Sequence, residues 1–426
     1  MLDFKPFVGL RTVRNSSNLC VYHCGIARKK SMFESAELNP PDAIFGLTEK
    51  FRNDPNENKI SLTVGVYKDE SGSTPLMKAV AEAENMLSQK NASKTYLPID
   101  GMPAYNQHVG TMLLGPVAES VKWKSTQTPG GTGALRVTGE LLRTALGIDT
   151  VWMSNPTWAN HPKIFGNAGV KVCQHDYLGD EGVSLDFDRM MKSIADQTKS
   201  GQAILLHGAC HNPTGVDPTK EQWTELLALV SEKGLLPIFD FAYQGFGDGI
   251  DEDAAAIREF LADGKHEALI CSSFSKNFGL YGERVGGLTI VSTCDDASTA
   301  MQSQVKTIIR RMYSNPPTHG AAIVNTVLSD ATLRKSWETE LDEMRNRVKQ
   351  LRTAFVDTMQ AVAPGRDFSF MNDQRGMFSY SGLSGQYAES LMKDHSVYIL
   401  GSGRINVAGI NDSNRQRLCE AIASVL

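Results

Sequence analysis

Apolar positions in the middle of the chain fall into short solid runs, separated by stretches with a three-to-four-residue beat. The runs are residues 151–153, 203–206, 236–239, 268–271 and 288–291, of a length that suits buried strands. Residues 222–233 and 254–262 carry helical spacing between them. This alternation predicts an α/β architecture, a mainly parallel sheet sandwiched by helices. Further on, Trp337, Leu341, Met344, Val348, Leu351, Phe355 and Met359 step by three or four and form one stripe, with charges on the other faces. The stripe predicts a long helix of the kind that links two domains. After Phe368 the pattern breaks into short strands and helices, a smaller α+β unit. Chain ends often meet in space, so the stretch before Pro75 is expected to pack with that unit. The expected division is a small domain of residues 32–74 plus 343–426 and a large domain of residues 75–342.

Residues 1–31 stand apart. They carry Lys5, Arg11, Arg14, Arg28, Lys29 and Lys30 against a single acid, Asp3. A basic, acid-poor leader fits an organelle transit peptide, but such a peptide needs a helix-period apolar stripe and none runs through this segment. The favoured expectation is an over-extended start, with translation beginning at Met32.

Composition narrows the function classes. A length of 426 residues allows two or three domains, and 41% hydrophobic residues supply a sizeable core. Charged residues make up 21% and nearly balance, leaving a net charge of −5. That argues against an electrostatic binder of nucleic acid or of a membrane surface. No apolar run approaches the roughly 18 residues of a membrane-spanning helix. The seven cysteines are scattered, and the closest pair, Cys20 and Cys24, has no zinc-type partner cluster nearby. Neither a disulfide scaffold nor a metal site is expected, and a reducing cytoplasm fits.

In open parallel sheets, ligands bind beyond the carboxyl ends of the strands. The first run is followed by Ser154-Asn155-Pro156-Thr157-Trp158, and the second by a segment ending in His211-Asn212-Pro213-Thr214-Gly215. The third is followed by Asp240-Phe241-Ala242-Tyr243, and the fourth by Ser272-Ser273-Phe274-Ser275-Lys276. Taken singly these are ordinary: a helix-capping Asp, a solvated Lys, an Asn-Pro turn. Together they suit one cofactor, pyridoxal 5'-phosphate. It needs an amine to hold it covalently, and Lys276 is the candidate. Its ring nitrogen needs a carboxylate, which Asp240 offers. Asn212 and Tyr243 can donate to its phenolic oxygen, and Trp158 offers a stacking face. Its phosphate needs a helix N-terminus. Thr128-Pro129-Gly130-Gly131-Thr132-Gly133 opens a helical pattern running through Leu141, with Ser273, Ser275 and Arg284 as further donors. A simple Gly-rich turn is the competing reading of that segment.

These residues carry a resemblance. The segment from Ser273 through Lys276 to Arg284 resembles the lysine signature of class I aminotransferases, in the bacterial aspartate and aromatic-amino-acid branch. His211 to Gly215, Asp240 to Tyr243 and Arg404-Ile405-Asn406-Val407-Ala408-Gly409 are similar to further motifs of that family, over residues 32–426. The resemblance implies the fold-type I architecture and a homodimer with shared active sites. It implies that Lys276 binds the cofactor and shuttles a proton, with Asp240 and Tyr243 beside it in catalysis. His161 and His207 would back Asp240. Gly131, Thr132, Ser273, Ser275 and Arg284 would hold the phosphate, with Tyr96 reaching in from the other subunit. Arg404, Asn212, Trp158 and the backbone of Gly65 would grip the substrate α-carboxylate. Arg310 of the other subunit would bind a side-chain carboxylate. Taken alone, His161 and His207 would be core histidines, and Arg310, beside Arg311, a helix-surface charge.

The implied activity is transamination between L-aspartate or L-glutamate and a 2-oxo acid, with aromatic amino acids as secondary substrates. Val66, Lys68, Thr74, Thr132 and Asn315 look aspartate-like, whereas residues 96–98, 273–275 and 281–287 look closer to the aromatic branch. Gly130 stands where many relatives have Ser, and Thr95 matches neither branch. A primarily aromatic aminotransferase is the alternative. A β-lyase or decarboxylase would not need Arg310. A non-catalytic regulator would carry a DNA-binding domain, for which a 31-residue leader is too short.

Overall fold

The computed structural model describes residues 32–38 and 43–426; the leader expectation for residues 1–31 falls outside them. The chain divides into two compact units, residues 1–42 and 43–426. Of the first, one turn of 3-10 helix, Met32–Ser35, is described.

The second unit holds all eleven described strands: β1 (Ile60–Ser61), β2 (Lys122–Pro129), β3 (Thr150–Asn155), β4 (Lys171–Asp176), β5 (Ala203–His207), β6 (Leu236–Phe241), β7 (Ala268–Ser273), β8 (Val285–Ser292), β9 (Phe378–Tyr380), β10 (Val397–Tyr398) and β11 (Arg404–Asn406). Seven of them form one sheet in the order β2-β8-β7-β6-β5-β3-β4. The five from β4 to β7 run parallel, while β8 is antiparallel to β7 and β2 antiparallel to β8. The mainly parallel sheet expected from the sequence is present.

The period of two explains why the central strands read as solid apolar runs. In β5, Ile204 and Leu206 face one core cluster, and Ala203 and Leu205 the opposite one. In β7, Ala268 and Ile270 face the first, and Leu269 and Cys271 the second. Both faces are covered, so both sets of positions must be apolar. β2 and β4 gave no such run. The end of β2 is polar yet buried, Ser125 to Thr128. Its burial is tolerated because the side chains are bonded: Ser125 Oγ lies 2.7 Å from Thr289 Oγ1, and Gln127 Nε2 donates to the Pro317 carbonyl at 2.6 Å.

The stripe of apolar residues becomes one helix, Ala331–Val362, whose Asp330 cap accepts from the backbone N–H groups of Thr332 and Leu333. Its longer first part, through Leu351, packs in the main cluster. Its last turns, Phe355, Val356 and Met359, belong to a third cluster with Ile60, Leu62 and residues from Phe368 to Ile422. Trp337 is fully buried on this helix, stacks on Phe278 at 4.4 Å, and donates its indole N–H to the Asn277 carbonyl at 2.7 Å. The long helix therefore anchors the loop immediately after Lys276.

Candidate active site

Strand register sets the site. His207 at the end of β5 pairs with Asp240 in β6, and Asp240 pairs with Cys271 in β7. The carboxyl ends of these strands open into one cavity of about 260 Å³. Gly65, Gly131, Thr132, Trp158, Asn212, Asp240, Tyr243, Ser273, Ser275, Lys276, Arg284 and Arg404 all line it. Residues from Gly65 to Arg404 thus meet at the point the strand ends indicate.

Lys276 is the one lysine among the described residues that lines the cavity. Burial lowers its ammonium to about 8, against the field of Asp240 and with those of Arg284 and Arg404. A neutral, nucleophilic amine is thereby available near neutral pH. Its Nζ lies 4.8 Å from the centre of the Tyr243 ring. Burial pushes the Tyr243 phenol well up, so it acts as a hydrogen-bond donor.

Asp240 is held from behind. Burial alone would raise its carboxyl, but the hydrogen bond and field of His161, with the field of Lys276, keep it below the ordinary value. His161 Nε2 is 3.0 Å from Asp240 Oδ2, and His161 Nδ1 is 2.8 Å from Thr157 Oγ1. A carboxylate can only accept, so Nε2 carries a proton toward it, while the Thr157 hydroxyl bonds the other ring nitrogen. The edge of the Trp158 ring system meets His161 at 5.2 Å. Each of His161, His207 and Asp240 also brings one ligand atom within 4.8 Å of the others. Because His161 and Asp240 already bond each other, the trio orients a carboxylate.

At the other edge of the cavity the helix Gly130–Thr144 begins without any side-chain cap. Its free N–H groups form an anion site. Gly130 has φ +75°, and a Cβ there would lie 2.5 Å from Arg284 Nη2; a Cβ on Gly131 would lie 3.0 Å from Ser273 Cβ. The place of a serine side chain at Gly130 is thus taken by a guanidinium. Arg284 donates to Ser275 Oγ at 3.3 Å.

Arg404 faces the same cavity and is 3% exposed. One of its Nη atoms donates to Asn212 Oδ1 at 3.4 Å and the other to the Thr63 carbonyl, while its Nε has no partner. The guanidinium sits 4.1 Å over the Phe378 ring. The same ring leaves no room at Gly65, where a Cβ would approach its Cζ to 2.5 Å.

Tyr96 and Arg310 do not line the cavity. Tyr96 is 91% exposed, and Arg310 is an exposed residue that donates to Ser314 Oγ. Ile44, Leu135, Ala242, Tyr281 and Phe378 line the cavity without having been assigned from the sequence. Tyr281 lies inside the lysine signature, so its place could have been inferred. Phe378 is distant from every motif and left no signal.

The family model for aminotransferase class I and II matches residues 57–422. The chain is a class I and II aminotransferase. It is similar to the aspartate aminotransferase of Haemophilus influenzae, with 48% identity over 398 residues, 93% of this chain and all of that one. The aspartate aminotransferase of Escherichia coli is 46% identical over the same shares. Among solved structures, the aromatic-amino-acid aminotransferase of Burkholderia pseudomallei, covalently bound to pyridoxal phosphate, superposes with a TM-score of 0.90 at 43% identity, covering 93% of this chain and all of that one. The aminotransferase cofactor is pyridoxal 5'-phosphate. The donor set suits it: a buried amine, a low carboxyl backed by histidine, a neutral phenol, and an uncapped helix start lined by hydroxyls and a guanidinium.

Proposed function

We propose that this aminotransferase moves the amino group of L-aspartate or L-glutamate to a 2-oxo acid, with aromatic amino acids as weaker substrates. The observation that carries this reading is Arg404, a buried guanidinium with no carboxylate partner among the described residues, facing the cavity that holds Lys276. A desolvated cation of this kind is costly unless an anion reaches it, and an amino-acid α-carboxylate is such an anion.

Bound pyridoxal phosphate supplies an electron sink for the bond that breaks at the substrate Cα. Lys276 would hold it and then carry the proton from that carbon. Asp240 would keep the ring nitrogen protonated, with His161 and His207 fixing the carboxylate. Asn212 and Tyr243 would donate to the phenolic oxygen. Gly131, Thr132, Ser273, Ser275 and Arg284 would bind the phosphate. Gly65, Trp158, Asn212 and Arg404 would orient the substrate carboxylate.

The enzyme would work as a homodimer in which Tyr96 and Arg310 serve the partner's site, Tyr96 at the phosphate and Arg310 at the side-chain carboxylate. The support is their exposure in one chain, together with the exposed apolar side chains of Leu76 and Met312. No helix among the described residues is long and apolar enough to cross a membrane. The described cysteines are all free, in keeping with a cytoplasmic enzyme. We retain the two-domain division, supported by the apolar cluster that joins Ile60 and Leu62 to the C-terminal elements.

A primarily aromatic preference is the second reading, favoured by the likeness to the Burkholderia enzyme. The test compares kcat/KM for aspartate, tyrosine and phenylalanine with 2-oxoglutarate as acceptor. Aspartate is expected to lead; a clear lead for phenylalanine or tyrosine would reverse the ranking. Mixing the holoenzyme with aspartate alone should convert the cofactor absorbance to that of its amine form. No conversion would refute the transamination reading.

A further inference from the structure

Behind Asp240, on the side away from the substrate cavity, four histidines lie together. His207 is 5.2 Å from His161 and 4.1 Å from His211, ring centre to ring centre, and Tyr177 stacks on His211 at 4.2 Å. His175, at the end of β4, shares with His207, His211, Ser154 and Tyr177 the wall of a second, much smaller cavity. The space open to the centre of a water molecule there is about 10 Å³, close to the minimum that one water needs.

Two buried nitrogens in this wall have no partner, His175 Nε2 and His207 Nε2. His175 is 2% exposed and His207 7%. The other ring nitrogen of each is engaged by the backbone. His175 Nδ1 lies 2.8 Å from the Asp176 carbonyl, which can only accept, so Nδ1 carries the proton. His207 has a backbone hydrogen bond to Asn212 that favours its protonated form, and only a carbonyl acceptor has that effect. In both rings Nε2 is therefore left as a bare lone pair in the neutral state. Burial keeps both rings neutral, lowering His175 to about 4 and His207 to about 3. Two acceptors on the wall of one small cavity cannot satisfy each other. Each unmet buried acceptor is costly, and a donor of two hydrogen bonds satisfies both.

Ser154 does not fill this role, because its hydroxyl is 2.9 Å from His211 Nε2. The Tyr177 hydroxyl donates to the Val216 carbonyl at 2.7 Å. Among the described residues of the wall, Trp223 brings the one further side-chain N–H, and it bonds neither nitrogen. The space of about 10 Å³ has room for one water.

We infer that this cavity binds a single water molecule, which donates one hydrogen bond to His175 Nε2 and one to His207 Nε2. The water extends the support of the site by one layer. It fixes the ring plane of His207, which packs against the histidine that holds Asp240 and bonds the backbone of Asn212. His175 is thus a positioning residue that acts through water and His207.

The test uses the wild-type holoenzyme first, so it depends on no variant's folding. Diffraction to about 1.2 Å should show one ordered water within hydrogen-bond distance of both Nε2 atoms. Histidine ¹⁵N spectra should show both rings as Nδ1–H tautomers with hydrogen-bonded Nε2 atoms. An empty cavity, or an Nε2–H tautomer on either ring, would overturn the inference. His175→Phe keeps a flat ring and removes the acceptor. It should lose the water and move the His207 Nε2 resonance to the position of an unbonded nitrogen, and His175→Gln, with an acceptor oxygen, should restore both. An unmoved His207 resonance in folded His175→Phe would refute the link between the two rings.

Discussion

The two ends of the catalytic cavity are built on different plans. At the ring end, Asp240, His161 and Thr157 form a closed chain of hydrogen bonds within one polypeptide, and every member is buried or nearly so. At the carboxylate end, Arg404 is buried with an unpartnered Nε, while Arg310 lies exposed outside the cavity. One end is preorganised before anything binds; the other is completed by substrate and, in our reading, by a second chain. Preorganised groups serve chemistry that is the same for every substrate. Groups completed on binding serve discrimination, because their unmet valences are satisfied by one ligand class and not by another.

The largest expected effect lies at the ring end. Lys276→Ala should abolish transfer, and borohydride reduction of wild-type holoenzyme should place the cofactor on Lys276 in a peptide map. A label on another lysine would remove Lys276 from the assignment. The buried amine adds a pH signature. Cofactor uptake by the apoenzyme should accelerate as pH rises through about 8, where Lys276 loses its proton. A rate independent of pH between 7 and 9 would contradict an ammonium held at that value.

Next in size is Asp240→Ala. Losing one partner of a buried charge pair costs roughly 3–5 kcal/mol, so proton abstraction should slow by about two to four orders of magnitude and cofactor should bind more weakly. A variant with near-wild-type turnover would leave Asp240 without its role.

The carboxylate end is probed by Arg310→Leu. Loss of a charge-assisted contact made by one substrate class should lower kcat/KM for aspartate about a hundredfold, and for phenylalanine little. Equal losses would mean that the residue acts on the fold and not on the substrate. Mixing Lys276→Ala with Arg310→Ala under subunit exchange should restore activity toward aspartate, since one site of each heterodimer is then intact. Proven heterodimers without recovery would show that each chain works alone.

The sequence spoke clearly for the ring end and less for its surroundings, and the reason is physical. Asp240 ends the apolar run of β6, and Asn212 and Lys276 follow β5 and β7; such strands, buried on both faces, announce themselves as apolar runs with their functional residues at or just beyond the end. β2 and β4 were not legible. The burial of β2 rests on bonded polar side chains, and β4 is the last strand of the sheet, with Val172 its one aliphatic residue. Phe378, which sits under Arg404 and closes the space at Gly65, was invisible because its partners are 26 residues away or more and no local pattern records them. The cavity of His175 was invisible for the same reason: His175 and His207 meet only once β4, β3 and β5 lie side by side.

The smallest effect concerns acid and again divides the two ends. Burial holds His175 near 4, His207 near 3 and His211 well below its ordinary value, with neighbouring histidines adding to the depression of the latter two. An unfolded chain takes up these protons near pH 6.5, and the folded chain does not until far lower. The unfolded state then binds more protons, so stability falls as pH drops below about 6.5 and continues to fall through about 4. Two buried carboxyls oppose this. Asp217 is raised to about 6 and Asp253 is raised as well, so the folded state gains their protons first. Three histidines against two carboxyls leave a net loss. Replacing His175 by Phe removes one of the three. Urea unfolding of that variant and of wild type, compared at pH 7.5 and 5.5, should show an acid loss smaller by about 1 kcal/mol in the variant. Arg310→Leu, at an exposed position outside this cluster, should keep the wild-type loss. An identical pH dependence in His175→Phe would mean that His175 takes its proton equally well in both states, and burial behind the ring end would not be what holds that ring neutral.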